Sequence, residues 1–322
     1  MATKHAVILL GALPLSALAT ADETPLNVVA TIGMIADVAQ EVGGECVNVE
    51  AMMGPGVDPH LYQASASDVA TLRNAEQIFY SGYSLEGQLG DVLERFSERT
   101  PTLAVAPASI DPASLITSQD VYGIDPHLWM DVSLWAQTLP TLNAALSEAR
   151  PDCAATFDAN TERYQTQLLA LHEWVTDSIA SIPDEQRILV TAHDAFGYFG
   201  RAYDIDVEGI QGISTETETG IADIRNMTDI VVDRAVPALF IESTINPRTV
   251  QAVIDAAQQR GQVVEIGGEL YSDAMGDPDT VDGTYMGMIY RNTQHIVEAL
   301  GGTLAPLPEE MNDWATEWKL AH

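Results

Sequence analysis

Three of the seven histidines follow segments that have the composition of buried β-strands. They are His60 in GVDPHLY, His127 in GIDPHLWMD and His193 in VTAHDAFGYF. Ligands of open parallel sheets bind beyond the carboxyl ends of the strands, so three imidazoles at such positions should line one crevice. A crevice lined by neutral imidazoles offers the donor type that divalent transition metals prefer.

The tetrapeptide Asp-Pro-His-Leu occurs twice, around His60 and around His127. Proline fixes its own φ and keeps the preceding aspartate out of the helical region, so each imidazole would be presented from a stiff turn. Asp58 and Asp125 could each accept a hydrogen bond from the far ring nitrogen and orient the histidine. An Asp-Pro pair that only starts a turn would explain one copy, but the duplication favours a shared role.

A carboxylate that could complete this set lies in the last crossover of the chain, in the segment IGGELYSDAMG. Glu269 and Asp273 compete for the role, and we favour Asp273. Glu242 follows the strand-like segment ALFI and is either a further candidate near the crevice or a partner for neighbouring loop amides. Taken alone, each of these acids would more often be a helix cap or a solvated loop charge.

Three imidazoles and one carboxylate form a donor set suited to Zn²⁺ and also usable by Mn²⁺ or Fe²⁺. Neither cysteine lies in these segments, so a thiolate site is excluded. Because the imidazoles must be neutral to bind a metal, affinity should fall below about pH 6.5. The remaining histidines are interpreted as bystanders in the leader, in two helices and at the chain end: His5, His172, His295 and His322.

Short β-branched segments alternate with helical patterns on both sides of one long helical segment. In the first half, strands are predicted at 27–32, 47–51, 77–80 and 102–105, and helices at 34–42, 67–74, 85–99 and 133–148. In the second half, strands are predicted at 188–191, 207–210, 238–241 and 263–266, and helices at 195–203, 221–234, 247–260 and 284–300. Residues 154–182 contain no Gly or Pro and repeat apolar residues at helical spacing, which predicts one amphipathic helix that lies against both halves.

This order predicts an α/β fold of two parallel-sheet βα lobes joined by one long backbone helix, with the metal site in the cleft between the lobes. The predicted boundaries are 1–21 for a signal peptide, 22–150 for the N-terminal lobe, 151–184 for the connecting helix and 185–322 for the C-terminal lobe.

Residues 1–21 combine one cationic residue with an apolar run and small residues near the expected cleavage site. This pattern is typical of a signal peptide and is too short for a membrane anchor, while a buried helix would have to accommodate Pro14 in its interior. No cysteine lies near the cleavage site to accept a lipid. Export to an oxidising compartment would allow Cys46 and Cys153 to pair, but the sequence does not show that they meet.

The chain is strongly acidic, with 14 Lys and Arg against 47 Asp and Glu and a formal net charge of −33 at pH 7. A field of this sign repels nucleic acid and anionic lipid, which excludes these partners. Most of the acids are interpreted as a solvated surface. Because salt screens self-repulsion, we interpret the acidity as an adaptation to saline surroundings.

The segments GVDPH, DPHLWMD, AHDAFGYF, FIES and LYSDAMG, in this order, resemble motifs of the metal-specific cluster of ABC-importer solute-binding proteins. The resemblance covers nearly the whole mature chain, from VVATIGM to the helix near residue 300. It implies that His60, His127, His193 and Asp273 bind a zinc, manganese or iron ion. It also implies two lobes that hinge little, and a monomeric periplasmic receptor whose partners are an importer permease and its ATPase.

Two departures from the family pattern bear on the metal. Members dedicated to zinc often carry a His-rich acidic loop in the first lobe, whereas no histidine lies here between His60 and His127. One manganese branch has Glu at the third ligand position, where this chain has His193. The branch with three His and one Asp includes both zinc and manganese binders, so both metals remain alternatives, although intrinsic affinity favours Zn²⁺.

The main alternative function is a zinc-dependent hydrolase, because three His and a carboxylate can also hold a catalytic metal. Such an enzyme needs an open coordination position and a general base, and the chain contains no His-Glu-x-x-His pair. A surface adhesin of the same family is a second alternative, against which the missing lipid-accepting cysteine favours a diffusible receptor. An organic-solute receptor would require Arg, Asn and aromatic clamps in the cleft.

Overall fold

The structure is a computed structural model that describes residues 24–118 and 123–320. The predicted signal peptide lies outside the described residues. In the described part of the chain, no helix has the length and apolar character that a membrane crossing requires.

The first lobe is built on one parallel sheet with the strand order β2-β1-β3-β4. Its strands are β1 (Leu26–Ala30), β2 (Val47–Ala51), β3 (Gln77–Tyr80) and β4 (Thr102–Ala104). Its helices are α1 (Gly33–Gly43), α2 (Ala66–Asn74), α3 (Leu89–Phe96), α4 (Val105–Ser109), α5 (Val132–Trp135) and α6 (Leu139–Ala149).

The second lobe contains two parallel strand pairs, β5 with β6 and β7 with β8. The strands are β5 (Ile188–His193), β6 (Asp206–Gln211), β7 (Ala238–Glu242) and β8 (Glu265–Leu270). The helices are α8 (Gly197–Tyr203), α9 (Ile221–Asp233), α10 (Arg248–Gln259), α11 (Tyr285–Ala299) and α12 (Asn312–Glu317). All six residues of β5 are buried, as expected for a strand of a parallel sheet that is covered on both faces.

The connecting helix α7 (Ala154–Ala180) has 27 residues and is therefore about 40 Å long. It packs against both lobes. Tyr164 donates a hydrogen bond to Asp37 of α1 (3.0 Å), and Trp174 stacks on Tyr290 of α11 with ring centroids 5.1 Å apart. The predicted α/β fold of two parallel-sheet lobes joined by one long helix is confirmed.

A single hydrophobic core extends from the first lobe through α7 into the second lobe. It includes Val38 of α1, Leu171 of α7, Phe199 of α8 and Ile289 of α11. A smaller core lies inside the second lobe, where Val190, Val231 and other apolar residues pack together. Because the larger core is shared, the two lobes cannot separate widely without exposing apolar surface to water.

A disulfide joins Cys46 and Cys153, which resolves the pairing that the sequence left open. Cys46 lies just before β2, and Cys153 lies just before α7. The bond therefore ties the start of the connecting helix to the first lobe.

Three predicted elements differ from the observed ones. The helix predicted at 85–99 spans only Leu89–Phe96, because the preceding loop has left-handed backbone at Gly82, Tyr83, Ser84 and Gly87. The helix predicted at 133–148 is divided into α5 and α6, and α6 begins with proline in its first turn. The last strand lies at Glu265–Leu270, not 263–266, because Gly267 and Gly268 continue it through an irregular register with β7.

Candidate metal centre

Four side chains from both lobes converge between the lobes. His60 lies in the turn after β2, and His127 lies directly before a 3₁₀ turn at Leu128–Met130. His193 is the last residue of β5, and Asp273 follows β8 by three residues. Each of the four is at most 2% exposed, and one donor atom from each lies within 4.8 Å of the others.

The distances between the donor atoms are those of a metal site. His60 Nε2 lies 3.3 Å from His127 Nε2 and 3.5 Å from Asp273 Oδ2. Asp273 Oδ1 lies 3.3 Å from His127 Nε2, and Asp273 Oδ2 lies 3.3 Å from His193 Nε2. Ligand atoms around a tetrahedral ion with bonds of about 2.0–2.2 Å are separated by about 3.3–3.6 Å. The observed spacings thus leave room for one ion at the centre.

Three of these atoms are not satisfied by hydrogen bonds. Within the described residues, His193 Nε2 and both carboxylate oxygens of Asp273 are buried and have no hydrogen-bond partner of acceptable geometry. Buried polar atoms without partners are costly, so native structures rarely retain them without a reason. A cation bound among these atoms would supply the missing partner.

Two carboxylates lie at hydrogen-bond distance from Nδ1 of two imidazoles, on the side away from the centre of the group. Asp125 Oδ1 lies 2.7 Å from Nδ1 of His127, and Glu242 Oε2 lies 2.5 Å from Nδ1 of His193. A proton on Nδ1 leaves the lone pair of Nε2 directed into the group. Glu242 also accepts a hydrogen bond from the backbone N–H of His193 (2.7 Å), so it lies behind the group and is not one of its four members.

Asp58 binds the backbone of His60, whereas Asp125 and Glu242 also contact the histidine rings. Its Oδ1 accepts a hydrogen bond from the backbone N–H of His60 (2.9 Å), and its Oδ2 accepts one from the hydroxyl of Thr215 in the second lobe (2.6 Å). The same backbone bond occurs in the other Asp-Pro-His-Leu segment, from His127 N to Asp125 Oδ1 at 3.0 Å. The repeated tetrapeptide therefore builds the same turn twice, with different side-chain partners.

Trp129 joins the two lobes beside the group. Its indole N–H donates to the carbonyl of Ser272 (2.8 Å), and its own carbonyl accepts from the hydroxyl of Tyr285 (2.7 Å). Trp129 is fully buried, and its ring centroid lies 5.4 Å from that of His127. Because Ser272 precedes Asp273, these bonds fix the carboxylate loop relative to His127. Sequence reasoning missed this role, and its only signal was a tryptophan after the second Asp-Pro-His-Leu.

The four groups have strongly perturbed acidities. Burial lowers the pKa of His60 to about 3, against the attraction of Asp273. Burial also favours neutral His127, but the charges of Asp125 and Asp273 outweigh it and raise the pKa of His127 to about 9. In the same way, Glu242 and Asp273 overcome burial and hold the pKa of His193 well above its usual value.

Asp273 has the opposite shift. Burial alone would raise the pKa of this carboxyl, but the charges of His193 and His127 hold it well below its usual range. Without metal, these shifts favour protons on the rings of His127 and His193 beside an ionised Asp273 and disfavour a proton on His60. A metal ion would replace these protons and keep the local charge compensated.

The other sequence candidates lie elsewhere. The side chain of Glu269 is exposed, and its carbonyl accepts a hydrogen bond from the ring of His295 if Nδ1 carries the proton (2.9 Å). His172 lies on α7 with Nδ1 3.2 Å from the hydroxyl of Tyr203. Of the two acids that competed in the last crossover, Asp273 is the one in the group.

Two α/β lobes on one backbone helix, with a buried group of cation-binding side chains where they meet, define a two-lobed solute-binding protein. The sequence matches the family described as zinc-uptake complex component A, periplasmic, over residues 28–299. This match covers most of the chain, and the chain belongs to that family.

Named relatives agree with this assignment. The chain is 42% identical to the manganese-binding lipoprotein MntA of Bacillus subtilis over 275 residues, 85% of this chain and 90% of MntA. It is 45% identical to the zinc-binding protein TroA of Treponema pallidum over 282 residues, 88% of this chain and 91% of TroA. The solved structure of the periplasmic zinc-binding TroA superposes with a TM-score of 0.83 at 43% identity, covering 86% of this chain and 99% of that one.

Proposed function

We propose that this protein is a periplasmic solute-binding protein that captures one divalent transition-metal ion, Zn²⁺ or Mn²⁺, and delivers it to an ABC importer. The observation that carries the proposal is the buried convergence of three imidazoles and a carboxylate from both lobes. Family membership supports the same role.

In this proposal His60, His127, His193 and Asp273 hold the ion, which is the transported cargo. Asp125 and Glu242 orient two of the imidazoles from behind, and Asp58 holds the backbone of the third. Imidazole nitrogen suits Zn²⁺ best, and Mn²⁺ and Fe²⁺ also accept a mixed set of nitrogen and oxygen. MntA is described as manganese-binding and TroA as zinc-binding, which supports the same pair of cargoes here.

A transport role fits the site better than zinc-dependent hydrolysis. A catalytic zinc keeps one position open for water and has a general base nearby. Here four buried side chains face one point, and the acids behind the histidines already bind ring or backbone nitrogens. We infer a closed clamp that is not an enzyme.

The proposal extends to location and partners. A signal peptide at 1–21 would export the chain, and the absence of a cysteine near its end favours a diffusible periplasmic monomer over a lipid-anchored adhesin. The cargo would pass to an importer permease powered by an ATPase. The lobe boundaries at 22–150, 151–184 and 185–322 belong to the same proposal.

Calorimetric titration of metal-free protein tests the function directly. Zn²⁺ and Mn²⁺ should each bind with one ion per chain, Zn²⁺ more tightly, and each should displace the other in competition. Elemental analysis of protein isolated from its native periplasm, in metal-free buffers, identifies the cargo. Absence of stoichiometric binding, or metal-dependent turnover of ester, phosphate or peptide substrates, would contradict the proposal.

A further inference from the structure

The lobes meet on two sides of the buried group, and the two sides are held differently. On the inner side Trp129 bonds Ser272 and Tyr285, and the hydroxyl of Tyr198 donates to the carbonyl of Asp125 (2.9 Å). These bonds lie against the shared core, which includes Trp129, Tyr198 and Tyr285. The inner side therefore resists opening.

On the outer side, the turn that carries His60 faces a loop of the second lobe. We call residues 54–62 the outer turn and residues 212–219 the acidic loop. Leu61, the neighbour of His60, is 54% exposed, so the outer turn borders solvent. The geometry places the outer turn between the buried group and water, on the side from which an ion can leave.

One carboxylate connects the outer turn to the acidic loop. Asp58 accepts the backbone N–H of His60 with Oδ1 (2.9 Å) and the hydroxyl of Thr215 with Oδ2 (2.6 Å). Thr215 is only 7% exposed, although the next three residues of the loop are exposed. A hydrogen bond to an ionised acceptor is stronger than a neutral one, and partial burial shields it from competing water.

Thr215 is itself positioned from β6, the strand that pairs with the His193-bearing strand β5. The side-chain N–H groups of Gln211 donate to the carbonyls of Thr215 (3.0 Å) and Thr217 (2.6 Å). Gln211 is the register partner of His193 across the β5–β6 pair. A continuous series of contacts thus runs from His193 through Gln211, Thr215 and Asp58 to His60.

We propose that Thr215 is a positioning residue that latches the outer turn to the second lobe and sets the rate at which bound metal leaves. The inference rests on the proposed function, because it assigns a release step to the same site. Opening on the outer side must break the bond between Thr215 and Asp58 while the inner side stays closed. Thr215 touches no metal-facing atom, so its loss should change how often the site opens and leave the four donor atoms in place.

Three variants at two positions of the acidic loop test the latch. Thr215→Val keeps the shape and removes the hydroxyl, whereas Thr215→Ser keeps the hydroxyl. Thr217→Val is the matched control, because Thr217 is exposed and contributes its carbonyl to the contact with Gln211. Each protein is loaded with Zn²⁺ and mixed in a stopped-flow instrument with an excess of a chromophoric chelator, which reports the release rate.

Thr215→Val should release Zn²⁺ faster by on the order of tenfold, with little change in the association rate. Thr215→Ser and Thr217→Val should release it at nearly the wild-type rate. Gln211→Leu, which frees the acidic loop and leaves Thr215 intact, should also accelerate release and provides a second test if Thr215→Val does not fold.

Two results would overturn the latch. One is a wild-type release rate in both Thr215→Val and Gln211→Leu, and the other is a Thr215→Ser rate equal to that of Thr215→Val. If the wild-type protein binds Zn²⁺ normally in these experiments, only the proposed role of Thr215 is contradicted. If the wild-type protein retains no Zn²⁺, the proposed function fails together with the latch.

Discussion

At the scale of single residues, the acids behind the histidines determine which nitrogen of each ring faces the centre. Asp125 and Glu242 lie at Nδ1 of His127 and His193, so Nε2 of each ring is directed toward Asp273. The imidazoles are therefore oriented before any ion arrives. Preorganisation of this kind reduces the ordering cost of binding.

Removal of single imidazoles should separate site residues from bystanders. His60→Ala, His127→Ala and His193→Ala should each weaken Zn²⁺ binding by more than about 100-fold, since even loss of a partner that orients a ligand typically costs 10–100-fold. His172→Ala and His295→Ala are matched controls on helices and should bind like wild type. Calorimetric titration measures all five, and unchanged affinity in any of the first three would contradict the ligand assignment.

The affinity for metal should depend more steeply on pH, and should start to fall at a higher pH, than histidines with an unshifted pKa of about 6.5 would predict. The pKa of His127 is raised to about 9 and that of His193 is also raised, so metal binding should displace protons from these rings. His60 has a pKa of about 3 and should release none. Affinity should increase by at least about tenfold per unit from pH 6 to pH 8.

Proton release is measurable by titrating Zn²⁺ in buffers of different ionisation enthalpy. One or two protons per ion are expected at pH 7. Affinity that is flat between pH 7 and pH 8, with no proton release, would contradict the raised pKa values of His127 and His193. The sequence alone set the onset near pH 6.5, because neighbouring charges such as Asp125 and Asp273 are tertiary features.

The convergence of the four residues of the buried group was predictable because each follows a strand or crossover, and parallel strands bring their carboxyl ends together. Residues that act across the lobes were not predictable. Thr215 lies in the polar segment TETET, which has no local feature that points to Asp58, and the contact of Trp129 with Ser272 joins segments that are distant in sequence. Such pairs follow from how the lobes pack, which no local pattern encodes.

At the scale of elements, the N-terminal end of the connecting helix α7 is fixed to the first lobe. The disulfide between Cys46 and Cys153 fixes that end, and Asn160 donates a further hydrogen bond to the carbonyl of Val42 (3.0 Å). Any relative motion of the lobes must therefore be absorbed further along α7 or beyond it. This arrangement agrees with the small hinge motion that the family resemblance implies.

Loss of the disulfide should reduce stability without affecting the metal site. Replacement of both cysteines by serine opens a long covalent loop in the unfolded chain and should lower the free energy of unfolding by about 2–5 kcal/mol. Urea denaturation of the metal-free proteins measures the difference. Zn²⁺ affinity should stay within a fewfold of wild type, and a stability change below about 1 kcal/mol would contradict the expected contribution.

Element prediction succeeded where the pattern was long and failed where glycine or proline altered the local geometry. The helix at 154–182 was predicted almost to its ends, since nothing in α7 interrupts the apolar repeat. The last strand was placed too early because Gly267 and Gly268 resemble a strand end but are paired within β8. Backbone pairing across β7 outweighed the low strand propensity of glycine.

At the scale of the whole molecule, the net charge of −33 should make stability depend on salt. Repulsion among the surface acids opposes the compact state, and screening relieves it. The melting temperature of the metal-free protein should therefore increase by several degrees as NaCl is raised from low concentration to about 1 M. A melting temperature independent of NaCl would exclude the saline-adaptation hypothesis.

The position of Trp129 beside His127 should allow metal binding to be followed by intrinsic tryptophan fluorescence. An indole 5.4 Å from the ring of His127 should have an emission that responds when that imidazole exchanges a proton for a metal ion. Intrinsic fluorescence should thus follow Zn²⁺ addition without any label. Trp129→Phe retains four of the five tryptophans and should abolish most of the response, so persistence of the full signal would assign it to another tryptophan.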